Sequence, residues 1–348
     1  MSLPHVAIVI LNWNGWRDTC ECLESLFKIE YSPYTIFLID NASSDESLHK
    51  IGEYLEGKII LKSDKINGDP SEMFDDYVVY ETKEIENSIM YQQAYRESDD
   101  TPKKILYLIK NKKNYGFAEG NNIGIRFAHK IIDPDYILLL NNDTIVDQNF
   151  LGELIHVCED DPEIGFAGPK TYFYNFHGKR NVIDFAGGRI ILSLGLTTHI
   201  GKNRIDKGQF NELRDVDYIE GSCLLARKKT INEIGLLDPH FFLYWEETDW
   251  CLRARRAGYK LMYVPSATIW HKGAEEKYNK TKSYFLTKNR FKIMKKHARK
   301  PEILIFLMFF FLCYFWFFSF KLILNKYHHN YPDFIHGIID GMADLFSP

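Results

Sequence analysis

Val6-Ala7-Ile8-Val9-Ile10-Leu11, followed at once by Asn12-Trp13-Asn14-Gly15, decides the fold. An apolar, β-branched run without alternation reads as a strand buried on both faces, which points to a parallel sheet covered by helices. Helical spacing follows over 19–27, with Cys22, Leu23 and Leu26 on one face. A second such strand, Thr35-Ile36-Phe37-Leu38-Ile39, stops at Asp40, and a helix through Leu48, Ile51 and Leu55 comes after Asn41 to Asp45. Strand, helix, strand, helix is the opening of an open α/β sheet.

Working outward, 57–104 is rich in acids and reads as an insertion on the sheet edge, with a short strand at 77–80. The α/β pattern then resumes: a strand at 105–109, a loop at 114–120, a helix at 121–130 and an apolar strand at 136–140 that ends in Asn141-Asn142-Asp143. A helix is expected at 150–158. Glycines and short β-runs over 165–227 predict a smaller mixed sheet. Residues 246–257 read as a helix closed by Gly258, and 259–264 and 268–271 as two final strands.

The 348 residues suffice for one large α/β domain, here 1–275, and an appendage, 276–348. A formal net charge of -4 and the lack of a basic face or known module argue against a nucleic-acid partner. The six cysteines form no C-x-x-C pair, so no zinc site is expected, and they suit a reducing cytoplasm. No basic segment precedes an apolar core at the start of the chain, so no secretory signal is expected.

Open α/β sheets bind ligands beyond the carboxyl ends of their strands. Four polar clusters fall at such ends: Asn12 with Asn14, Asp40 with Asn41 and Asp45, Asn141-Asn142-Asp143, and His271. Strand ends need turn formers in any case, so each alone reads equally well as a loop; together they mark a site. Glu246-Glu247-Thr248-Asp249 sets three acids at a helix start. There they complement the macrodipole, pair with Arg253 and Arg256, or serve as a general base.

The stretches VAIVILNWNGWRDTCECLESL (6–26), FLIDNASSDES (37–47), NYGFAEGNNIGI (114–125), YILLLNNDTIVD (136–147) and GSCLLARKKTINEIGLLDPHFFLYWEETDWCLRARRAGYKLMYVPSATIWH (221–271) occur in that order. Together they resemble the family 2 glycosyltransferases, in particular the rhamnosyltransferase-like subgroup. The resemblance implies an α/β chain of GT-A fold, a Rossmann-like mixed sheet flanked by helices. It implies inverting transfer of a sugar from a nucleoside-diphosphate donor to a glycan or lipid-linked acceptor of cell-surface polysaccharide synthesis, with dTDP-rhamnose as the leading donor. Asp40 would accept from a pyrimidine N3–H, with Asn12 and Asn14 flanking base and ribose. Asn41, Asp45, Asn114, Gly116, Gly120, Asn121 and Asn142 would complete the donor side, the glycine-rich 114–124 loop lying under the donor. Asp143 would be the principal ligand of Mn2+ or Mg2+, with Asn141 and His271 completing the set. Glu247 would be the general base, with Glu246 and Asp249 as alternatives. The chain departs from the family in carrying Asn-Asn-Asp for a D-x-D-like triplet and Glu-Glu-Thr-Asp for E-D-x-D.

Past 275, nine basic residues between Lys280 and Lys300 precede an uncharged run, 303–320, that resumes after Lys321 to 324. Twenty-two such residues form a helix about 30 Å long, enough to span a bilayer or to lie in its interface. The preceding cations place the chain at the cytoplasmic face of the cell membrane. Two rivals remain. A sugar nucleotidylyltransferase would carry a Gly- and Arg-rich phosphate loop after the first strand, which Asn12 to Trp16 is not. A degenerate sugar-nucleotide binder without turnover is suggested by Asn141 and Asn142.

Overall fold

The computed structural model describes residues 3–59, 61, 76–85, 88–96, 105–273, 279–324 and 327–347. In chain order the elements are β1 (Val6–Asn12), α1 (Trp16–Leu26), β2 (Tyr34–Asp40), α2 (Ser47–Leu55), β3 (Asp76–Ile85), β4 (Ser88–Arg96), β5 (Ile105–Lys110) and α3 (Gly116–Ile131). Next come β6 (Tyr136–Asn141), β7 (Thr144–Val146), α4 (Phe150–Asp160), β8 (Ile164–Phe173), β9 (Ile183–Phe185), β10 (Gly188–Ile191), β11 (Leu196–His199), β12 (Arg214–Asp215) and β13 (Cys223–Arg227). The chain continues with α5 (Lys228–Ile234), α6 (Glu246–Arg256), β14 (Lys260–His271), α7 (Lys280–His297), α8 (Lys300–Phe309), α9 (Phe315–Leu324) and α10 (Tyr331–Phe346).

The centre of the sheet is parallel, in the order β5-β2-β1-β6. The β1 residues Val6 to Ile10 are wholly buried, as an uninterrupted apolar strand requires. The chain leaves β1 toward β2 and β5, then returns to pair β6 on the other side of β1, so strand order reverses between β1 and β6. Asn12 and Asn141 stand at that crevice. β13 then enters antiparallel between β6 and β8, and β14 runs parallel to β8.

Several elements differ from the sequence expectation. Residues 165–227 do not build a separate sheet: β8 and β13 extend the main one, because Cys223 to Arg227 pair with Leu140 to Tyr136, and among the described residues only the β10–β11 hairpin stands apart. The two final strands are one, β14, whose register shifts between Val264 and Thr268 around Pro265, which has no N–H to give. Helix α3 starts at Gly116 rather than at 121. Gly116 takes φ +75, and the Phe242 carbonyl accepts from the Phe117 and Ala118 N–H groups, which caps the helix early. The acidic insertion does sit on the sheet edge, as the β3–β4 hairpin beside β5; residues 60, 62–75, 86–87 and 97–104 of it lie outside the described residues.

The C-terminal helices have their own core of Phe291, Met294, Phe306, Phe310, Phe318, Leu322 and Phe334. Phe306, Phe310, Tyr314, Phe318 and Leu322 form an i, i+4 stripe along α8, a π-helical turn at Phe310–Tyr314, and α9. That stripe faces inward. Leu304, Met308, Leu312, Trp316, Phe317, Phe320 and Ile323 are exposed on the other side. Asn289 of α7 donates to the carbonyls of Phe241, Leu243 and Tyr244, which locks this region to the loop entering α6.

Candidate active site

A cleft of about 900 Å³ opens beyond the ends of β6 and β14, and Asn141, Asp184, Glu220, Ser222, Glu246, Glu247 and His271 line it. Its parts arrive from distant segments. The antiparallel pairing of β14 with β7 sets His271 opposite Thr144, and so beside Asp143. His271 Nε2 lies 3.3 Å from Asp143 Oδ1, while Nδ1 lies 2.9 Å from Asp184 Oδ2. Two ligands at adjacent positions of an octahedral ion, each about 2.1 Å from it, stand about 3 Å apart, so Asp143 and His271 fit a divalent cation. Asp184 fixes the ring through Nδ1, so that Nε2 points at Asp143 and would offer its lone pair to a cation that displaced its proton. Burial works against charge on both partners, yet each holds the other ionised: Asp143 lies below the usual carboxylate range and His271 well above the usual imidazole value.

Asp184, Glu220 and His271 also approach closely enough to share an ion. The Nδ1 face is already taken by Asp184, so the Nε2 side is the better donor set; burial and the Asp184 charge raise the Glu220 carboxyl above the usual range. Neither Asp184 nor Glu220 was legible beforehand. Asp184 is a lone acid between Ile183 and Phe185, and Glu220 precedes Gly221-Ser222-Cys223 without any motif of its own.

Helix α6 delivers the acids. Trp245, at φ +76, turns the chain into it. Glu247 opens onto the cleft with its carboxyl pushed up to about 7, chiefly by burial, with the Glu220 charge adding and the N–H groups and Thr248 hydroxyl opposing. Glu246 is more deeply buried, one of its oxygens lacks any partner, and its carboxyl is pushed well above the usual range by burial and by Glu247. Asp249 faces away from the cleft. It is fully buried, accepts from Arg253 Nε at 2.9 Å, and lies 2.7 Å from His297 Nε2 and 2.8 Å from Lys296 Nζ. That arrangement makes it a tether between α6 and α7 rather than a base.

The donor-side residues form a second network, at the ends of β1, β2 and β6. Asp40 is fully buried; its carboxylate accepts from Asn12 Nδ2 at 2.8 Å, Ser43 Oγ at 2.6 Å and the Ser43 N–H at 3.0 Å. It organises the turn, and its side chain does not face the cleft that holds Glu247. Asn12 Oδ1 accepts from Gly15 N, Thr19 Oγ1 and Asn142 Nδ2. Exposed Asn14, at φ 55, accepts from the N–H groups of Ser44 and Asp45, and exposed Asp45 accepts from Ser47 N. Asn41 donates to Asn114 Oδ1 and accepts from Asn111 Nδ2 and Tyr115 N.

The glycine-rich stretch corrects an expectation. A Cβ on Gly116 would stand 2.4 Å from the Phe242 carbonyl, one on Gly120 would meet Leu11 at 2.7 Å, and one on Gly124 would meet Val9 at 2.6 Å. These glycines admit protein, not ligand: they let α3 press onto β1 and β2. Buried Asn121 is spent on the Phe117 carbonyl. Asn142 is likewise structural. Its Nδ2 donates to Asn12 Oδ1, the Gly15 carbonyl and Thr19 Oγ1, which a carboxylate at that position could not do.

Residues 75–294 match the family described as glycosyltransferase like family 2, and residues 7–71 match glycosyl transferase family 2. The low-salt glycan biosynthesis hexosyltransferase Agl10 of Haloferax volcanii is 28% identical over 152 residues, 43% of this chain and 47% of the relative. The rhamnosyltransferase WbbL of Escherichia coli is 30% identical over 164 residues, 45% of this chain and 61% of that one. The N-acetylglucosaminyl-diphospho-decaprenol L-rhamnosyltransferase of Mycobacterium tuberculosis is 35% identical over 147 residues, 39% and 47%. The chain thus spans about half the length of the curated relatives it matches. Among solved structures, GalNAc-T7 with UDP, GalNAc and Mn2+ superposes with a TM-score of 0.60 at 18% identity, covering 86% of this chain and 49% of that one. The mannosyltransferase PcManGT of Pyrobaculum calidifontis, in complex with GDP-Man and Mn2+, gives 0.55 at 9% identity, covering 99% and 88%. At such identities the likeness is one of fold.

Proposed function

The chain belongs to the family 2 glycosyltransferases, of rhamnosyltransferase-like kind, and from that premise we propose that it transfers a sugar, with inversion, from a nucleoside-diphosphate donor such as dTDP-rhamnose to a lipid-linked glycan acceptor at the cytoplasmic face of the membrane. The observation that carries this reading is the shared cleft: Glu247, poised near neutral pH, and His271, with Asp143 beside it, open onto one space.

In the proposed reaction the Glu247 carboxylate takes the proton of an acceptor hydroxyl. That oxygen forms a bond to the anomeric carbon as the bond from the carbon to the β-phosphate oxygen breaks. The nucleoside diphosphate leaves with the bonding pair. One displacement with no enzyme nucleophile inverts the anomeric centre. Asp143 and His271, with the Asn141 amide oxygen, are the groups that would hold Mn2+ or Mg2+, whose chemistry is to neutralise charge gathering on the leaving diphosphate. The donor nucleotide would lie over the β1–β6 crevice, on a floor stiffened by the Asn12–Asp40–Asn142 network.

The binder without turnover is disfavoured by the same network. Asn142 is an amide because three acceptors surround it, not because a ligand was lost. Membrane attachment is supported by the exposed apolar face of α8–α9. Because α7, with Lys288, Lys292 and Lys295, packs along the inner stripe, that face is proposed to lie in the headgroup interface rather than to cross the bilayer. A donor panel with Mn2+ and Mg2+ and a lipid-linked acceptor, read as labelled product, tests the whole reading. Release of nucleoside diphosphate from no sugar nucleotide under any of these conditions would refute it.

A further inference from the structure

A buried guanidinium ordinarily lies against a carboxylate, because an uncompensated charge out of water costs several kcal/mol. Arg290 breaks that rule. It is 7% exposed on α7, and no carboxylate among the described residues lies within ion-pair distance of it. Among the described residues its one side-chain hydrogen bond runs from Nη2 to the Tyr314 hydroxyl at 3.0 Å and its Nε has no acceptor, while its charge rests on the rings of Tyr314 at 3.9 Å and Trp245 at 5.9 Å. Tyr314 lies on the inward stripe of the apolar helix, in its π-helical turn.

The place is as informative as the charge. Arg290 lines the same cleft as Glu247, and the apolar side chains of Leu196, Leu243 and Leu286 line it as well. Gly195, at φ +58, lets the chain pass close over Arg290: a Cβ there would meet Phe306 at 2.9 Å and Arg290 Cγ at 3.1 Å. Besides its carboxylates and the lysines Lys202, Lys272 and Lys282, the cleft thus holds, beside the apolar helix, a guanidinium that no carboxylate among the described residues offsets.

We propose that Arg290 binds the phosphate of a lipid diphosphate acceptor, whose sugar reaches Glu247 and whose hydrocarbon chain leaves along α8–α9. The proposal deepens the glycosyltransferase reading and rests on it. The phosphate of a membrane phospholipid shares the same chemistry, and the test separates the two sources.

Transfer from dTDP-rhamnose is measured to farnesyl-diphospho-N-acetylglucosamine and to dodecyl N-acetylglucosaminide, for wild type, Arg290→Gln and Arg290→Lys. The expected result is a rise in KM of about ten- to hundredfold for the diphosphate acceptor in Arg290→Gln, from loss of one charge-assisted contact. Lys should restore part of it, and KM for the alkyl glycoside should not move. Equal changes for both acceptors would overturn the proposal. So would weaker binding of Arg290→Gln to phosphatidylglycerol vesicles without any change in acceptor KM, which reassigns the cation to a headgroup. Calorimetry on the wild type with farnesyl diphosphate and farnesol keeps the question open to refutation should the variants fail to fold. Binding of the first but not the second supports the site; equal binding, or none, overturns it. Wild type that transfers to the glycoside but not to the diphosphate acceptor refutes the lipid-diphosphate acceptor itself, whereas wild type that releases nucleoside diphosphate from no donor refutes the transferase reading, and calorimetry still decides the site.

Discussion

Replacing Glu247 by Gln keeps shape and removes the base. Positioned general bases contribute about 10²- to 10⁴-fold, so kcat/KM should fall by that factor while donor binding is kept. The wild-type profile gives a second reading. With its carboxyl pushed up to about 7, Glu247 is half ionised near neutrality, and the charged form is the active one. The rate should therefore rise with pH through about 7 and fall close to tenfold for each unit below it, by simple titration. The causes add a direction: Glu220 raises Glu247 by its charge, so Glu220→Gln should move the rising limb toward acid. The assay is initial-rate sugar transfer at fixed donor between about pH 5.5 and 8.5, with donor affinity followed separately by calorimetry. A wild-type profile flat across neutrality, or a Glu247→Gln enzyme transferring at the wild-type rate, would refute the assignment.

Asp249→Ala should act on stability: it strips a buried carboxylate from Arg253, Lys296 and His297, at a cost of about 3–5 kcal/mol, read as a lower Tm in scanning calorimetry. Unchanged Tm with lost transfer would return Asp249 to the catalytic set. Asn142→Asp should destabilise by about 1–3 kcal/mol by silencing its donations, whereas Asn141→Asp, in the cleft, should tighten Mn2+ binding measured by electron paramagnetic resonance. Leu312→Glu with Trp316→Glu and Phe320→Glu, all on the exposed face, should leave the fold intact by circular dichroism and abolish flotation with anionic liposomes; retention on liposomes would refute the interfacial helix.

What the sequence discloses follows from how local the physics is. Burial on both faces leaves an unbroken apolar run, so β1, β2 and β6 were legible, as was the parallel character of the sheet's centre, though not its strand order. The 165–227 region was not, because β8 and β13 owe their place to partners distant in the chain rather than to any pattern of their own. Glycines signal close approach but not what approaches. In α3 it is β1, β2 and Phe242, where a ligand was expected. Asp40 carries the letter of a base-binding residue, and the fold adds what the letter does not show, its bonds from Asn12 and Ser43. A single Asp or Glu in a buried strand or turn, as at 184 and 220, has no periodicity to betray it until the fold sets it beside a histidine.

The same contrast explains why the C-terminal region cannot be treated as a detachable anchor. Composition separates it cleanly at 276, but its hydrogen bonds do not. Asn289 holds three carbonyls of the loop leading into α6, and His297 closes on Asp249 two residues beyond Glu247. Phe241, Trp245 and Ile293 share one small core. Glu247, the buried cation and the exposed apolar face thus ride on a single packed unit. Removing 276–348 would leave Asp249 buried without His297 and Lys296, and the carbonyls of 241–244 without their donor. Loss of activity in such a truncation would report on the setting of α6 as much as on membrane attachment. Surface substitutions on α8–α9 are the change that separates the two, because they alter the apolar face and leave every one of those hydrogen bonds in place.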